Sequence, residues 1–168
     1  EHEVHGLMSI ENSAISVAVA NPAHWELART YVLGTGLAIA TYQLGGIPFH
    51  MSSVALDGGG IAFTGESNAG KSTWAALLVK YLRARLLSDD VVRIGYDIHE
   101  GRNQIWPGLR RLRLRDEVGE LSDGLSSDVD RQGRLELYGV DVAVDPVALK
   151  AVFVAGSRPG ALTVRELH

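Results

Sequence analysis

Residues 61–82 read IAFTGESNAGKSTWAALLVKYL. A short apolar run enters Gly65-Glu66-Ser67-Asn68-Ala69-Gly70-Lys71-Ser72, which meets the spacing G-x-x-x-x-G-K-S at every fixed position. An amphipathic pattern follows, with Trp74, Leu77, Leu78, Tyr81 and Leu82 at i, i+3, i+4, i+7 and i+8. Strand, glycine-rich loop and helix in that order are the context in which such a loop cradles phosphate. Gly65 and Gly70 let the backbone bend around an anion, and the loop amides then point inward as a nest. The helix start adds unpaired N–H groups and the positive end of its dipole. Lys71 can reach the β- and γ-phosphates, and the Ser72 hydroxyl can enter the shell of a Mg²⁺ ion. Thr73 completes the predicted nucleotide-contacting run.

Working outward, residues 48–56 (PFHMSSVAL) and 61–64 read as two strands, joined by Asp57-Gly58-Gly59-Gly60 as a hairpin turn. His50 lies 15 residues before Gly65 on the first of these strands. A neutral imidazole there can orient an aspartate or share its proton. Downstream, Leu86-Leu87 begins a short strand delivering Ser88-Asp89-Asp90, and residues 91–94 are expected to continue it. Asp89 and Asp90 stand 18 and 19 residues after Lys71, a gap filled by one helix and a turn. That places both carboxylates at a strand's carboxyl end beside the phosphates, where open α/β sheets bind ligands. One can support Mg²⁺, together with Ser72, and the other can take a proton from an attacking hydroxyl. The spacing does not assign which does which.

The densest basic cluster is Arg110, Arg111, Arg113 and Arg115. A guanidinium there can stabilise charge on a transferring phosphoryl group. Arg113, between two leucines, is the candidate for that role, while at least two of the four are expected to be solvated.

Elsewhere, residues 14–20 read as a strand, and Asn21-Pro22 breaks the run and caps a helix over 23–44 that ends at Gly45-Gly46. Its stretch 31–40 is too short and interrupted to span a bilayer and reads as a buried helix. Residues 96–104 read as a polar loop, 105–108 as a turn, and 122–133, polar and acidic, as a mobile loop. Residues 134–144, 149–155 and 161–167 read as strands. The expectation is one α/β domain over 1–168, with an N-terminal strand and helix start in 1–30 and the nucleotide-binding core in 48–94.

Length and charge bound the function. The 168 residues suit a single domain able to bury its own core. A net charge of −4 offers no basic field for a polynucleotide, so nucleic acid is not expected as a partner. With no cysteine there is no disulfide, thiolate metal site or cysteine nucleophile. No secretory signal is visible, and the expectation is a cytoplasmic protein without a membrane partner.

The segments HMSSVALDGGGIAFTGESNAGKST (50–73) and LLSDDVVRI (86–94) resemble the catalytic domain of HPr serine kinase/phosphorylase. That resemblance implies a P-loop kinase core of the HPr kinase and phosphoenolpyruvate carboxykinase type, a mixed sheet with flanking helices. It also implies transfer of the γ-phosphate of ATP, or another nucleoside triphosphate, to a serine hydroxyl with Mg²⁺, with His50 and the aspartate pair near the attacked phosphorus. The family's tendency to assemble makes a homo-oligomer an expectation. Two departures stand out: Thr73 replaces the usual acidic residue after the P-loop serine, and WPGLRRLRLRDEV (106–118) replaces a glutamate-arginine-glycine motif. This stretch, with PVALKAVFVA (146–155), is more similar to HPr-kinase-like tailoring enzymes of lasso-peptide clusters, which act on the C-terminal serine of a precursor peptide.

Three other readings compete. An HPr-type protein kinase keeps the chemistry with a different acceptor. Small-molecule kinases of the shikimate or gluconate type usually begin with the P-loop strand, whereas here a long segment and a hairpin precede it. A nucleotide-binding switch has only a D-x-x-G at Asp116-Glu-Val-Gly119, with no N-K-x-D.

Overall fold

The computed structural model describes residues 6–11, 14–115, 121, 126–129 and 133–156. The predicted strand at 161–167 and the D-x-x-G tetrapeptide lie outside them, as do parts of the predicted 122–133 loop.

The molecule is mixed α/β. Strands β1 (Gly6–Glu11) and β2 (Ala14–Val19) form an antiparallel hairpin. Asn21 then caps a 3₁₀ turn, Pro22–His24, accepting from the Ala23 N–H at 2.9 Å. The predicted single helix is instead α1 (Trp25–Tyr31), a π-helical stretch (Val32–Gly36) and α2 (Leu37–Gln43). The wider π turn coincides with Gly34 and Gly36, which are poor α-helix formers. A Cβ at Gly36 would lie 2.9 Å from the Met8 sulfur, so the glycine lets this helix sit against the hairpin. Nor is the helix buried as expected: Tyr31 is 57% and Tyr42 73% exposed, and only Gly36 and Ala40 are buried.

The run expected as one strand over 48–56 is two strands, β3 (Ile47–Phe49) and β4 (Ser52–Leu56), with His50-Met51 between them. The β4–β5 hairpin (β5, Gly59–Gly65) closes through Asp57 (φ 49°) and Gly58 (φ 74°), a two-residue turn with both φ positive. Its twist matches that of the flanking strands. Helix α3 (Lys71–Leu82) follows, then β6 (Arg85–Ser88), β7 (Val92–Asp97), β8 (Arg102–Trp106), β9 (Leu112–Arg115), β10 (Ser126–Val129), β11 (Arg134–Tyr138) and β12 (Val147–Ala155).

Three local expectations are corrected. Residues 91–94 do not extend β6: Asp90 takes φ 67° and turns the chain into β7. The expected polar loop 96–104 is the β7–β8 hairpin, turned by the Asp97 side chain accepting from the His99 and Glu100 amides. Within the expected mobile loop, Ser126–Val129 form a strand paired with β11.

Seven strands form the main sheet in the order β3-β7-β8-β12-β5-β4-β6. Only β12 and β5 run parallel among these pairings. Strands β3 and β4 are separated by two residues yet lie towards opposite ends of that order, so the sheet curls until its ends approach. Strand alternation feeds two cores. Val54, Phe63 and Leu86 join Ala75 and Ala76 of α3 on one face, and their neighbours Ala55, Ala62 and Leu87 pack with Val92 and Ile105 on the other.

The bulky stripe expected on α3 faces the core only in part: Leu77 and Leu78 pack against it. Lys71, Ala75 and Ala76 are buried, while Trp74, Tyr81 and Leu82 are exposed. Small alanines allow the helix axis close to the sheet, and bulkier side chains would hold it away. Trp74 instead lies alongside Phe63, ring centroids 6.4 Å apart.

A second sheet, β10-β11-β9, covers the first core. Leu112 and Leu114 of β9 and Leu135 and Leu137 of β11 point into it. The alternation therefore turns Arg113, Arg115, Arg134 and Glu136 to the other face.

Candidate active site

The curled sheet decides where the site forms. Two connections cross between its ends: His50-Met51, joining β3 to β4, and Asp89-Asp90-Val91, joining β6 to β7. They touch at the crossing, where His50 Nδ1 lies 3.1 Å from the Asp90 carbonyl oxygen. A carbonyl only accepts, so Nδ1 is the donor in this contact. His50 therefore meets the main chain of Asp90, whereas a contact with its carboxylate was expected.

The glycine-rich loop 65–72 opens onto this crossing. Gly65, at φ 139°, ends β5 so close to β12 that a Cβ would clash with the Ala155 carbonyl oxygen. Asn68 (φ 66°) and Gly70 (φ 88°) provide the left-handed positions of the loop, and the Ala69 amide donates to the Glu66 carbonyl at 3.2 Å. Ser67 and Asn68 line the pocket with Gly70, Lys71, Ser72 and Thr73. Lys71 is 7% exposed, and its Nζ donates to the carbonyls of Gly65 (3.1 Å) and Glu66 (2.9 Å). Burial lowers its pKa, opposed by the charges of Asp89 and Asp90 and assisted by Arg134.

Asp89 and Asp90 are adjacent but differently placed. Asp89 is 1% exposed; it accepts from the Ser72 hydroxyl at 2.8 Å and from the Arg113 amide at 3.0 Å. Burial and the neighbouring Asp90 charge raise its pKa, and its hydrogen bonds, the Arg113 amide foremost, oppose the rise without cancelling it. Asp90 is turned outward by its left-handed backbone, which aspartate tolerates better than most residues. Its carboxylate lies 3.6 Å from Arg113 and 3.9 Å from Arg111. The two lie just past the end of β6 and not within a strand, and both line the same pocket, where their different burial and partners, not strand alternation, distinguish them.

The arginine segment divides as expected: Arg110 and Arg115 are exposed, while Arg111 and Arg113 are largely covered. What holds the inner pair was not foreseen. Glu136, 3% exposed, forms an ion pair with Arg111, lies 3.6 Å from Arg113 Nε, and accepts from Arg29 at 3.1 Å and from Tyr138. Burial acts to raise the Glu136 pKa, but the Tyr138 hydroxyl, Arg111 and Arg29 outweigh it and hold the carboxyl below its ordinary value. Arg29 comes from α1, so the N-terminal helix braces the same cluster. Register could have suggested Glu136, since it stands directly opposite Arg113, but that register is set by a pairing between distant segments.

A backbone pivot completes the frame. The Ser88 hydroxyl donates to the Val91 carbonyl at 2.6 Å and accepts from the Leu109 amide at 3.1 Å. The Gly108 amide donates to the Leu87 carbonyl at 2.8 Å. A Cβ at Gly108 would collide with the Ser88 hydroxyl, so this glycine allows the arginine segment to approach the aspartates.

Among the described residues no cluster of three or more His, Cys, Asp or Glu could hold a metal by itself. Ser72 and Asp89 are nonetheless hard oxygen donors already in contact. That set fits Mg²⁺ bound with substrate phosphates, which usually supply much of its shell. No described helix is long and apolar enough to cross a membrane.

No family model and no curated protein sequence matches the chain. Among solved structures it is similar to the Hpr(Ser) kinase/phosphatase from Coxiella burnetii, at 16% identity and a TM-score of 0.40. The match covers 64% of this chain and 63% of that one, so less than two thirds of the neighbour's length is spanned.

Proposed function

We propose that the protein is a Mg²⁺-dependent kinase that transfers the γ-phosphate of ATP to a serine hydroxyl of a peptide. The observation that carries this reading is the convergence of the phosphate loop, Asp89-Asp90 and Arg113 on one pocket. A loop that only held nucleotide would not need a second carboxylate and a covered guanidinium beside its lysine.

The loop amides and Lys71 bind and orient the phosphates. Ser72 and Asp89 are the residues that would hold Mg²⁺, which supplies neutralisation of phosphate charge when bound. Asp90, which lines the pocket with its carboxylate 3.6 Å from Arg113, is the carboxylate that takes the acceptor proton. The serine oxygen attacks the γ-phosphorus, the bond to the β–γ bridging oxygen breaks, and the diphosphate leaves with its electron pair. Arg113 balances charge on the transferring group, and His50 fixes the Asp90 backbone. Most of the acceleration comes from positioning and charge stabilisation.

The acceptor we assign is the C-terminal serine of a lasso-peptide precursor, on the similarity of residues 106–118 and 146–155 to those tailoring enzymes. Incubation with Mg·ATP and a precursor peptide, followed by mass spectrometry, tests this reading. The expected result is one added phosphate on the terminal serine, abolished by Lys71→Ala. Transfer at an undiminished rate by Lys71→Ala would overturn the loop assignment. Transfer only to HPr or to metabolites would replace the acceptor, and nucleotide binding without any transfer would point to a switch module.

A further inference from the structure

Strand β4 meets β6 through an irregular register. Val54 pairs with Leu86 and Ser53 with Ser88, so Leu87 is the extra residue of a bulge. Bulges re-aim the residues that follow them. One step further along this register, Ser52 comes opposite Asp89, just past the end of β6. Residues opposite on antiparallel strands project to the same side. For Ser52 that is the α3 side, since it pairs with Phe63 and alternates in step with Val54, and both pack with Ala75 and Ala76 of the helix. Ser72, on the first turn of α3, donates to Asp89 from that side.

Ser52 is fully buried, and among the described residues its hydroxyl oxygen has no close hydrogen-bond partner. A buried hydroxyl without a partner costs stability, and alanine would fill the same place without that cost. The hydroxyl nonetheless acts on Asp89. Burial and the Asp90 charge raise the Asp89 pKa, and Ser52 joins the Arg113 amide and Ser72 in opposing the rise. Its neighbour Ser53 is equally buried but projects to the other face, where it donates to the Ser88 carbonyl at 3.3 Å.

We infer that Ser52 is a positioning residue for Asp89: its hydroxyl, with the Ser72 hydroxyl and the Arg113 amide, fixes the carboxylate in the orientation that holds the metal. The metal comes from the kinase reading above; the contact itself rests on register, burial and the unsatisfied hydroxyl. Ser72 engages one carboxylate oxygen and the Arg113 amide the other. Ser72 is also a residue that would hold Mg²⁺, so its hydroxyl serves two partners. A further donor on β4, which lies between β5 and β6, keeps the carboxylate aimed from a paired strand.

Two measurements on the full chain test this, and the first needs no ligand. Urea denaturation of Ser52→Ala, Asp89→Asn and the double variant forms a cycle. Ser52→Ala should raise the unfolding equilibrium constant about 10-fold in the otherwise unmodified protein, and less than about 3-fold on the Asp89→Asn background. Strictly additive effects overturn the inference. The second measurement is Mn²⁺ binding with a non-hydrolysable ATP analogue, read by electron paramagnetic resonance. Ser52→Ala should weaken Mn²⁺ binding about 10-fold, the lower end for losing a group that orients a metal ligand. Its affinity for the analogue in EDTA should stay within about two-fold of the unmodified value. Ser53→Ala removes an equally buried hydroxyl on the other face and should leave Mn²⁺ affinity unchanged. Full Mn²⁺ affinity in Ser52→Ala, or an equal loss in both serine variants, overturns the positioning role. Coupling in the cycle, with neither Mn²⁺ nor nucleotide bound by the unmodified protein, would support the contact while removing the kinase reading.

Discussion

Glu136→Gln removes one negative charge from the centre of the site and keeps the side-chain shape. In the folded protein that charge faces Arg111, Arg113 and Arg29, and the first two are each only 9% exposed at the side chain. Breaking a buried pair by removing one partner costs about 3–5 kcal/mol, because a cation is left without compensation. Two features favour the lower end. Asp90 still lies within 4 Å of both inner arginines, and solvent at the pocket mouth screens the cluster. A loss of about 3 kcal/mol is a large part of the 5–15 kcal/mol that typically stabilises a domain. For a chain of this size it corresponds to a fall in Tm of about 6–12 °C. Urea denaturation should show the midpoint falling with the m-value unchanged. The diagnostic step is a second substitution: Arg111→Met on the Glu136→Gln background should restore part of the stability, since it removes the stranded cation. A Tm shift below about 2 °C for Glu136→Gln, or strictly additive losses in the double variant, would refute the view that Glu136 holds the arginines.

Two other consequences are as direct. Asp89→Asn should abolish phosphate transfer yet raise stability at neutral pH, because Asn can donate to Ser72 and accept from the Arg113 amide without a buried charge. The Asp89 pKa is raised in the folded state, so its contribution to stability is fully present below the unfolded value of about 3.9 and is lost as pH rises through the folded pKa. Denaturation midpoints of the two proteins should therefore diverge with rising pH and then run parallel; convergence with rising pH would reverse the assigned direction. Gly65→Ala should cost more than about 2 kcal/mol and eliminate nucleotide binding, since φ 139° and the Ala155 carbonyl leave no room for a side chain; a variant that binds nucleotide with a normal Tm would contradict the loop geometry.

Local order along the chain was enough for the strand, loop and helix around Lys71, and for the Asp57-Gly58 turn. In each, the residue types satisfy a requirement of their own backbone. Glycine and aspartate take positive φ, and the lysine and serine are fixed in spacing to the loop. That a short strand runs through Leu86-Leu87 was legible too, but its end at Ser88 was not. Periodicity on α3 found Leu77 and Leu78, which pack against the core, but also Trp74, Tyr81 and Leu82, which are exposed, because a stripe of bulky residues measures amphipathicity and not how closely the helix approaches the sheet; Ala75 and Ala76 decided that. It also ran a strand through His50-Met51 and through Val91, since no local signal marks where a curled sheet passes a chain from one end to the other.

The site depends on just those points. The amino-acid sequence alone determined that a G-x-x-x-x-G-K-S loop stands between a strand and a helix and that two carboxylates follow it by one helix, because both are short-range patterns. The tertiary structure decided that His50 meets the Asp90 main chain, that Asp89 is buried and Asp90 turned out, and that Glu136 faces Arg113 while Arg134 faces Arg115. Those relations come from sheet closure and cross-strand register, which join segments whose pairing no local spacing encodes.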